Sequence, residues 1–311
     1  MKILKAGITS VQDMGRFGYQ AYGMPTSGAC DQYSYRIGNI LVGNDDVEAS
    51  LECMLMGPTI EFEEDTVFAI TGGYFNTTLN GVKIYNWHSY RARPGDILEL
   101  GGVISGCFGY ISFSGGIDVS PVMGSRSTYI KGKIGGLEGR NLKDGDTLKT
   151  GEGNLFAYGR QLERIYIPRY ERDVTVRVVM GPQDDYFTKE GIYTFLNSPY
   201  EVTQSSDRMG YRLKGKPIEH AKGADVVSDG VPLGAVQVPG DGQPIIMLVD
   251  RQTTGGYTKI ATVITADIPR VAQARPGDVI HFKSISLGDA YWTYRHYKEQ
   301  FEIIRWYVEH S

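Results

Sequence analysis

Short runs of apolar residues alternate with polar, glycine-rich turns along almost the whole chain. Within these runs, β-branched and aromatic side chains recur, often at every second position, which is the period of a β-strand with one buried face. The chain also contains 40 glycines and 21 tyrosines, a composition typical of β-rich proteins. The pattern predicts a mainly β protein, with strands that include residues 67–71, 77–79, 96–100, 108–113, 174–179, 244–249 and 279–282.

Two segments have helical periodicity instead. Between Asp31 and Val42, apolar residues recur at steps of three and four, and Gly43 stands where a helix commonly ends. From Asp289 to Glu309 the spacing again predicts an amphipathic helix, which packs against its own domain or presents a face to a partner. The apolar positions of this C-terminal helix are Tyr294, Tyr297, Phe301, Ile304 and Val308.

Three short motifs occur once in each half of the chain, in the same order. The matching pairs are Arg16-Phe17-Gly18-Tyr19 with Arg208-Met209-Gly210-Tyr211, Thr71-Gly72-Gly73-Tyr74 with Thr254-Gly255-Gly256-Tyr257, and Ala92–Asp96 with Ala274–Asp278. Such an ordered series predicts two related β-domains in tandem. A charged segment without clear periodicity, Arg160–Arg172, lies between them. We therefore expect a first domain at residues 1–165 and a second, with the C-terminal helix, at 166–311.

Composition argues against several classes of function. The net charge is −4, whereas nucleic acid or an anionic membrane surface would require a basic face. No run of about 18 apolar residues predicts a membrane span, and no signal-peptide core follows the first residues. The three cysteines, Cys30, Cys53 and Cys107, lack the spacing of metal or redox motifs. We expect reduced thiols in a cytoplasmic protein.

The strongest candidate for a site follows the predicted strand at 244–249. Here the chain passes directly from an apolar run to Asp250 and Arg251, followed by Gln252, Thr253 and Thr254 and then by Gly255, Gly256 and Tyr257. Glycines let a ligand approach the backbone, and the charged pair can orient a polar substrate. A tight turn with a solvated ion pair is the alternative. The matching motif in the first half follows an apolar strand, Phe68-Ala69-Ile70, and this difference favours a site in the second half.

Three further polar clusters accompany it. Asp207 and Arg208 lie in the second half. Gln12, Asp13 and Arg16 form one cluster of the first half, and Ser125 with Arg126 begins another. The hydroxyls and cations of the last cluster suit an anionic ligand, although a glycine-rich corner with solvated charges explains them equally well.

No standard cofactor or metal motif is present. Residues 210–217 imitate a phosphate-binding loop, but Pro217 replaces the Ser or Thr that such a loop requires. The five histidines never occur at metal-ligand spacing, so we expect no metal site. The candidate residues include no activated nucleophile. They suit orienting an amide or carboxylate and stabilising an oxyanion, or binding a small molecule without chemistry.

Four of these motifs, taken in order, resemble the KipA-like family, the C-type subunits of bacterial 5-oxoprolinase. The family is also described as allophanate hydrolase subunit 2 or as biotin-dependent carboxyltransferases. The motifs are residues 12–19, 124–129, 206–211 and 250–257. The resemblance implies two cyclophilin-like β-barrels and two partners, a LamB/YcsF-like A-type subunit with a KipI-like B-type subunit. It also implies ATP-dependent hydrolysis of 5-oxoproline to L-glutamate, with ATP held by the complex, because no motif of this chain resembles a nucleotide site.

The same resemblance leaves two alternatives. One is the carboxyltransferase component of a biotin-dependent enzyme of the urea carboxylase type, and the other is a regulatory KipI-binding protein without catalysis. By analogy with the family, Asp250, Arg251, Thr254, Asp207 and Arg208 would be catalytic. The expected substrate-binding residues are Gln12, Asp13, Arg16, Ser125, Arg126, Gln252, Thr253, Gly255, Gly256 and Tyr257.

Overall fold

The structure is a computed structural model that describes residues 1–310 of the chain. Strands contain 36% of the residues and helices 19%, which confirms the prediction of a mainly β protein. The chain forms two compact units. Unit 1 consists of Met1–Phe17, Ser27–Tyr170 and residues 300–310, and unit 2 consists of Gly18–Thr26 and Glu171–Glu299. The division at residues 165 and 166 stays a prediction about domains.

Unit 1 is built on one curled, half-barrel sheet. Its elements are β1 (Lys2–Lys5), β2 (Thr9–Gln12), α1 (Gln32–Leu41), β3 (Ser50–Met54), β4 (Thr59–Glu61), β5 (Thr66–Leu79), β6 (Val82–Lys83), β7 (Ser89–Ala92) and β8 (Ile97–Phe113). The strands follow the order β1-β4-β8-β3-β2, and β5 adds to β8 while also pairing with β6 and β7. All these pairs are antiparallel.

The long strands β5 and β8 each unite two predicted strands, so the prediction of separate strands was wrong here. Glycine pairs interrupt the apolar alternation of the sequence, but the strands continue through them with irregular register. Gly72 has a φ of +82°, and a β-carbon there would lie 2.4 Å from the carbonyl oxygen of Phe108. Glycine is therefore required where β5 bends against β8.

Both predicted helices are confirmed. Asp31 caps α1, since its Oδ1 accepts a hydrogen bond of 2.9 Å from the Ser34 backbone N–H. The C-terminal helix, α4, runs over Leu287–His310. Its residues Phe301, Ile304 and Val308 are buried. Within unit 1, the Phe301 ring lies 5.6 Å from the ring of Tyr33, so this part of α4 packs on the unit to which it belongs.

Unit 2 is a closed seven-stranded barrel. Its elements before α4 are β9 (Asp173–Met180), α2 (Lys189–Asn197), β10 (Tyr200–Val202), β11 (Gly210–Gly215), β12 (Asp225–Gly230), β13 (Ala235–Val238), β14 (Ile245–Met247), β15 (Thr254–Val263), α3 (Ile268–Ala272) and β16 (Val279–Ser284). The ring runs β15-β13-β14-β11-β10-β16-β9 and closes by pairing of β9 with β15. Strand β12 lies outside this ring, on the first half of β15.

The sequence duplication is visible as a repeated turn. In both Pro-Gly-Asp turns the Asp side chain accepts a hydrogen bond from the backbone N–H three residues earlier. These bonds measure 2.7 Å for Arg93 to Asp96 and 2.8 Å for Arg275 to Asp278. The match between residues 16–19 and 208–211 does not extend to structure. Gly210 begins strand β11, whereas a 3-10 helix, Gln20–Tyr22, follows the first copy.

The two turns provide a test of stability. The Asp278 side chain is 5% exposed and also accepts a hydrogen bond from Arg172, whereas its counterpart Asp96 is more exposed. We expect Asp278→Ala to lower the free energy of unfolding by about 2 kcal/mol, because this buried carboxylate accepts hydrogen bonds from Arg172 and from the Arg275 backbone N–H. Asp96→Ala should lower it by less than about 1 kcal/mol. Urea denaturation of both variants measures this difference, and equal losses would contradict the structural account of the turns.

Candidate functional site

The chain is fixed by a buried ion pair at the point where it leaves β14. Asp250 is 7% exposed, and both of its carboxylate oxygens face Arg208. Arg208 Nε lies 2.9 Å from Oδ2, and Nη2 lies 3.2 Å from Oδ1. The Asp250 backbone N–H also donates to the Arg208 carbonyl oxygen at 2.9 Å. The pair is thus a bidentate brace between two segments of unit 2.

Arg251, the next residue, is a cation held by carbonyl groups. Its Nε donates to the Val231 carbonyl oxygen at 2.8 Å, and its Nη1 donates to that of Leu248 at 3.1 Å. Within residues 1–310, no carboxylate lies within 4.0 Å of its guanidinium. Burial lowers the pKa of Arg251 to about 10, so the group is still cationic at neutral pH. Such a positioned cation suits a ligand carboxylate.

Arg251 opens onto a cavity of about 310 Å³ within unit 2. This volume lies at the lower end of the range for small-molecule sites. No carboxylate is among the lining side chains, so the charge of the cavity comes from the guanidinium. The cavity, called the arginine pocket below, is lined by Gln20, Pro25, Thr26, Gly230, Val231, Pro232, Arg251, Gln252 and Thr253.

The other residues of the same motif lie around this pocket. Gln252 and Thr253 line it, while Thr254 is exposed at the start of β15. Gly255 lies opposite Asp229 of β12. Tyr257, 42% exposed, is further along the same strand. The structure therefore brings Arg251, Gln252 and Thr253 together at one cavity and places the residues from Thr254 onward on β15.

Asp207 has a local role in the turn that precedes β11. It is exposed, and its Oδ1 accepts a hydrogen bond of 2.8 Å from the Met209 backbone N–H. Residues 210–215, part of the segment that imitates a phosphate-binding loop, form strand β11. Because β11 pairs with a strand on each side, its backbone N–H groups form hydrogen bonds within the sheet and do not form a phosphate-binding loop.

The predicted residues of the first half form a separate, internally bonded cluster in unit 1. Asp13 accepts hydrogen bonds from Ser125 Oγ at 2.8 Å, from the Arg126 backbone N–H at 2.5 Å and from Ser127 Oγ. Arg16 Nε donates to the Val122 carbonyl oxygen at 3.0 Å. Gln12, Asp13, Arg16 and Ser125 are all buried. Their contacts brace two loops of unit 1, and their predicted role in substrate binding stays a prediction.

Sequence reasoning missed a second group of polar residues beside the arginine pocket. Lys259 on β15 and Gln237 on β13 are each 1% exposed and lie directly opposite each other in the sheet. Lys259 Nζ lies 3.1 Å from Asp229 Oδ2. The sequence did contain a signal for these two residues, since each is a polar residue within an apolar strand run. The runs are Ala-Val-Gln-Val and Thr-Lys-Ile-Ala. Such residues are rarely buried unless they have a partner or a function.

Residues 1–310 contain neither a group of side chains suited to a metal ion nor a helix suited to a membrane. No group of three or more of their His, Cys, Asp or Glu side chains is arranged to hold a metal ion. None of the helices described is long and apolar enough to cross a membrane.

Residues 22–284 match the family described as carboxyltransferase domain, subdomain A and B. The barrel of unit 2, the curled sheet of unit 1 and this match define the class, and the chain belongs to the carboxyltransferase domain family. It is 39% identical to the C subunit of 5-oxoprolinase from Escherichia coli over 98% of both chains. Its identity to the corresponding C subunit from Haemophilus influenzae is 36%, over 90% of this chain and 89% of that protein.

A solved structure gives the same fold within a larger protein. The urea amidolyase of Kluyveromyces lactis superposes with a TM-score of 0.91 at 35% identity over 98% of this chain. The matching region is 19% of the chain of that enzyme. The fold therefore occurs both in a chain of similar length and as one part of a much longer one.

The ion pair between Arg208 and Asp250 yields a second test of stability. Both side chains are largely buried, so removing either partner leaves an uncompensated charge. We expect Arg208→Met and Asp250→Asn each to lower the free energy of unfolding by about 3 kcal/mol. The double variant should lose clearly less than the sum, because neither charge then remains alone.

Urea denaturation of the two single variants and the double variant measures the coupling. Arg212→Met is a matched control, since Arg212 is exposed on the neighbouring strand β11. It should change stability by less than about 0.5 kcal/mol. Strict additivity of the Arg208 and Asp250 substitutions would show that the two residues do not act as a pair.

Proposed function

We propose that the chain is a C-type subunit of an ATP-dependent 5-oxoprolinase, an enzyme that hydrolyses 5-oxoproline to L-glutamate. The 39% identity to the Escherichia coli protein, over 98% of both chains, supports this assignment. The observation that carries it is Arg251, a guanidinium held by two carbonyl oxygens at a cavity of about 310 Å³. The substrate carries one carboxylate and one lactam carbonyl, and the carboxylate is the group that a guanidinium recognises.

In this proposal the predicted catalytic residues have different roles. Arg251 binds the substrate carboxylate, and Gln252 and Thr253 line the same cavity. Asp250 and Arg208 are positioning residues, because each satisfies the charge of the other and together they fix the backbone beside Arg251. Thr254 is exposed where β15 begins, directly after the pocket residue Thr253. Asp207 shapes the turn that carries Arg208.

ATP does not fit the arginine pocket. A triphosphate carries several negative charges, and Arg251 is the only cation among the residues that line the cavity. The segment that imitates a phosphate-binding loop is strand β11. We therefore assign ATP to the other two subunits, one KipI-like and one LamB/YcsF-like. Each of the three cysteines is a buried thiol, which supports a cytoplasmic, reducing location for the complex.

A carboxyltransferase function is the second candidate, and the superposition on urea amidolyase favours it. In that case a separate biotin-carrying protein would deliver the carboxyl group. Arg251 would bind the transferred carboxylate, and the acceptor would be a urea-like amide. A non-catalytic role as a regulatory KipI-binding protein would leave the arginine pocket without a substrate. Ligand binding and turnover distinguish the three functions.

Removal of the guanidinium tests the proposed function. In a complex reconstituted from this chain and its candidate KipI-like and LamB/YcsF-like partners, we expect Arg251→Met to raise the KM for 5-oxoproline by about 30-fold or more, because a charge-assisted hydrogen-bonded pair is lost. Release of glutamate, measured against substrate concentration, gives this value. The free chain alone should release none.

Arg270→Met is the matched control. Arg270 is exposed and also donates to a carbonyl oxygen, that of Thr175, at 3.1 Å, but does not line the cavity. Its replacement should leave KM within about twofold of wild type. Unchanged kinetics of the Arg251 variant would refute the assignment of this pocket to the substrate. Biotin-dependent carboxylation of urea without glutamate release would select the second candidate.

A further inference from the structure

The side chain of Gln237 is buried, and its NH2 group has no acceptor among the neighbouring described residues. Among residues 1–310, its Nε2 has no hydrogen-bond partner. Buried amide donors are seldom left in this state outside functional sites. Val236 and Val238, its neighbours on β13, belong to the barrel core, so Gln237 points to the opposite face of the sheet. Its donor therefore lies outside the core, where a ligand can supply the missing acceptor.

Gly255 lies beside this amide and beside two residues that line the arginine pocket. A β-carbon on Gly255 would lie 2.9 Å from Gln237 Nε2, 3.1 Å from Val231 Cγ2 and 3.5 Å from Gln252 Nε2. Val231 and Gln252 both line the pocket. The amide of Gln237 thus lies close to Val231 and Gln252, two residues of the pocket wall. Gln252 is exposed, so its side chain has room to move.

Lys259 adds a cation at the same place. It lies opposite Gln237, on the same face of the sheet, and its Nζ contacts Asp229. Asp229 is 56% exposed, whereas Lys259 is 1% exposed. The hydrogen bond from Lys259 holds the pKa of the Asp229 carboxyl below its usual range. Because Asp229 is exposed, its carboxylate can move away from Lys259, and the ammonium can then bind another acceptor in its place.

We propose that Gln237 and Lys259 form a subsite for a carbonyl or carboxylate oxygen at the inner end of the arginine pocket. The proposal rests on the proposed function and refines it. Arg251 binds the carboxylate of 5-oxoproline, and the amide N–H of Gln237 donates to the lactam carbonyl oxygen. Donors at this oxygen stabilise the negative charge that develops when the carbonyl carbon is attacked. Gln237 is then a specificity-determining residue that distinguishes the lactam from an amino acid without the ring carbonyl.

The side-chain NH2 signals of Gln237 in a ¹⁵N-labelled full-length chain report on this subsite directly. Loss of a signal pair in Gln237→Met assigns them. Four probes are titrated separately: L-5-oxoproline, L-proline, urea and bicarbonate. We expect saturable shifts of the Gln237 signals with 5-oxoproline and none with proline, which has the carboxylate but no ring carbonyl. Gln237→Met should weaken 5-oxoproline binding by about 10-fold.

Substitutions at two glycines, Gly255 and Gly240, test the subsite without changing Gln237 itself. Gly255→Ala places a methyl group against the amide and should displace its signals and weaken 5-oxoproline binding by at least about fivefold. Gly240→Ala is the matched control, because the nearest atom to its new β-carbon is 4.0 Å away. It should change neither the signals nor the affinity.

The outcomes separate the two proposals. If urea or bicarbonate shifts the Gln237 signals while 5-oxoproline does not, the subsite stands and the proposed substrate is wrong. If 5-oxoproline binds and shifts other signals but leaves those of Gln237 in place, the subsite is wrong and the proposed substrate stands. If no probe moves the Gln237 signals, the subsite is overturned.

Discussion

The bidentate ion pair between Arg208 and Asp250 determines the direction of the chain beside the arginine pocket. Because both carboxylate oxygens of Asp250 are taken by Arg208, Asp250 is not available to neutralise Arg251. Arg251 is instead held by two carbonyl oxygens, which orient its guanidinium without cancelling its charge. A positioned and uncompensated cation in a small cavity is the property on which the proposed substrate site of unit 2 depends.

The closed barrel provides the rigid support for this arrangement. Strand β15 pairs with β13 and β9 in its second half and with β12 in its first half, and it begins directly after the pocket residues Arg251, Gln252 and Thr253. Gly255 lies beside the pocket, and a β-carbon there would lie 2.9 Å from Gln237 Nε2 and 3.1 Å from Val231 Cγ2, so a larger residue would displace these side chains. Gly255 thus permits close packing at this place.

The sequence predicted some of this site and not the rest, for physical reasons. Asp250 and Arg251 stood out because charged residues follow directly on a buried strand. Gln12, Asp13 and Arg16 stood out by the same criterion, yet their side chains bond to their own unit, since the residue types that bind ligands also brace loops. Gln237 and Lys259 were missed because one polar residue in a strand usually faces solvent. Their burial arises from β12, whose pairing with β15 no local pattern reveals. The merging of strands into β5 and β8 was missed likewise, because glycines end most strands but bend these two.

The central claim is that the charge of Arg251 selects a small, carboxylate-bearing lactam. Isothermal titration calorimetry of the purified chain with L-5-oxoproline and with pyrrolidin-2-one, the same ring without the carboxylate, tests it most directly. The account predicts that 5-oxoproline binds at least about 10-fold more tightly and that added salt reduces this difference. Equal affinities for the two lactams, or a difference insensitive to salt, would contradict it.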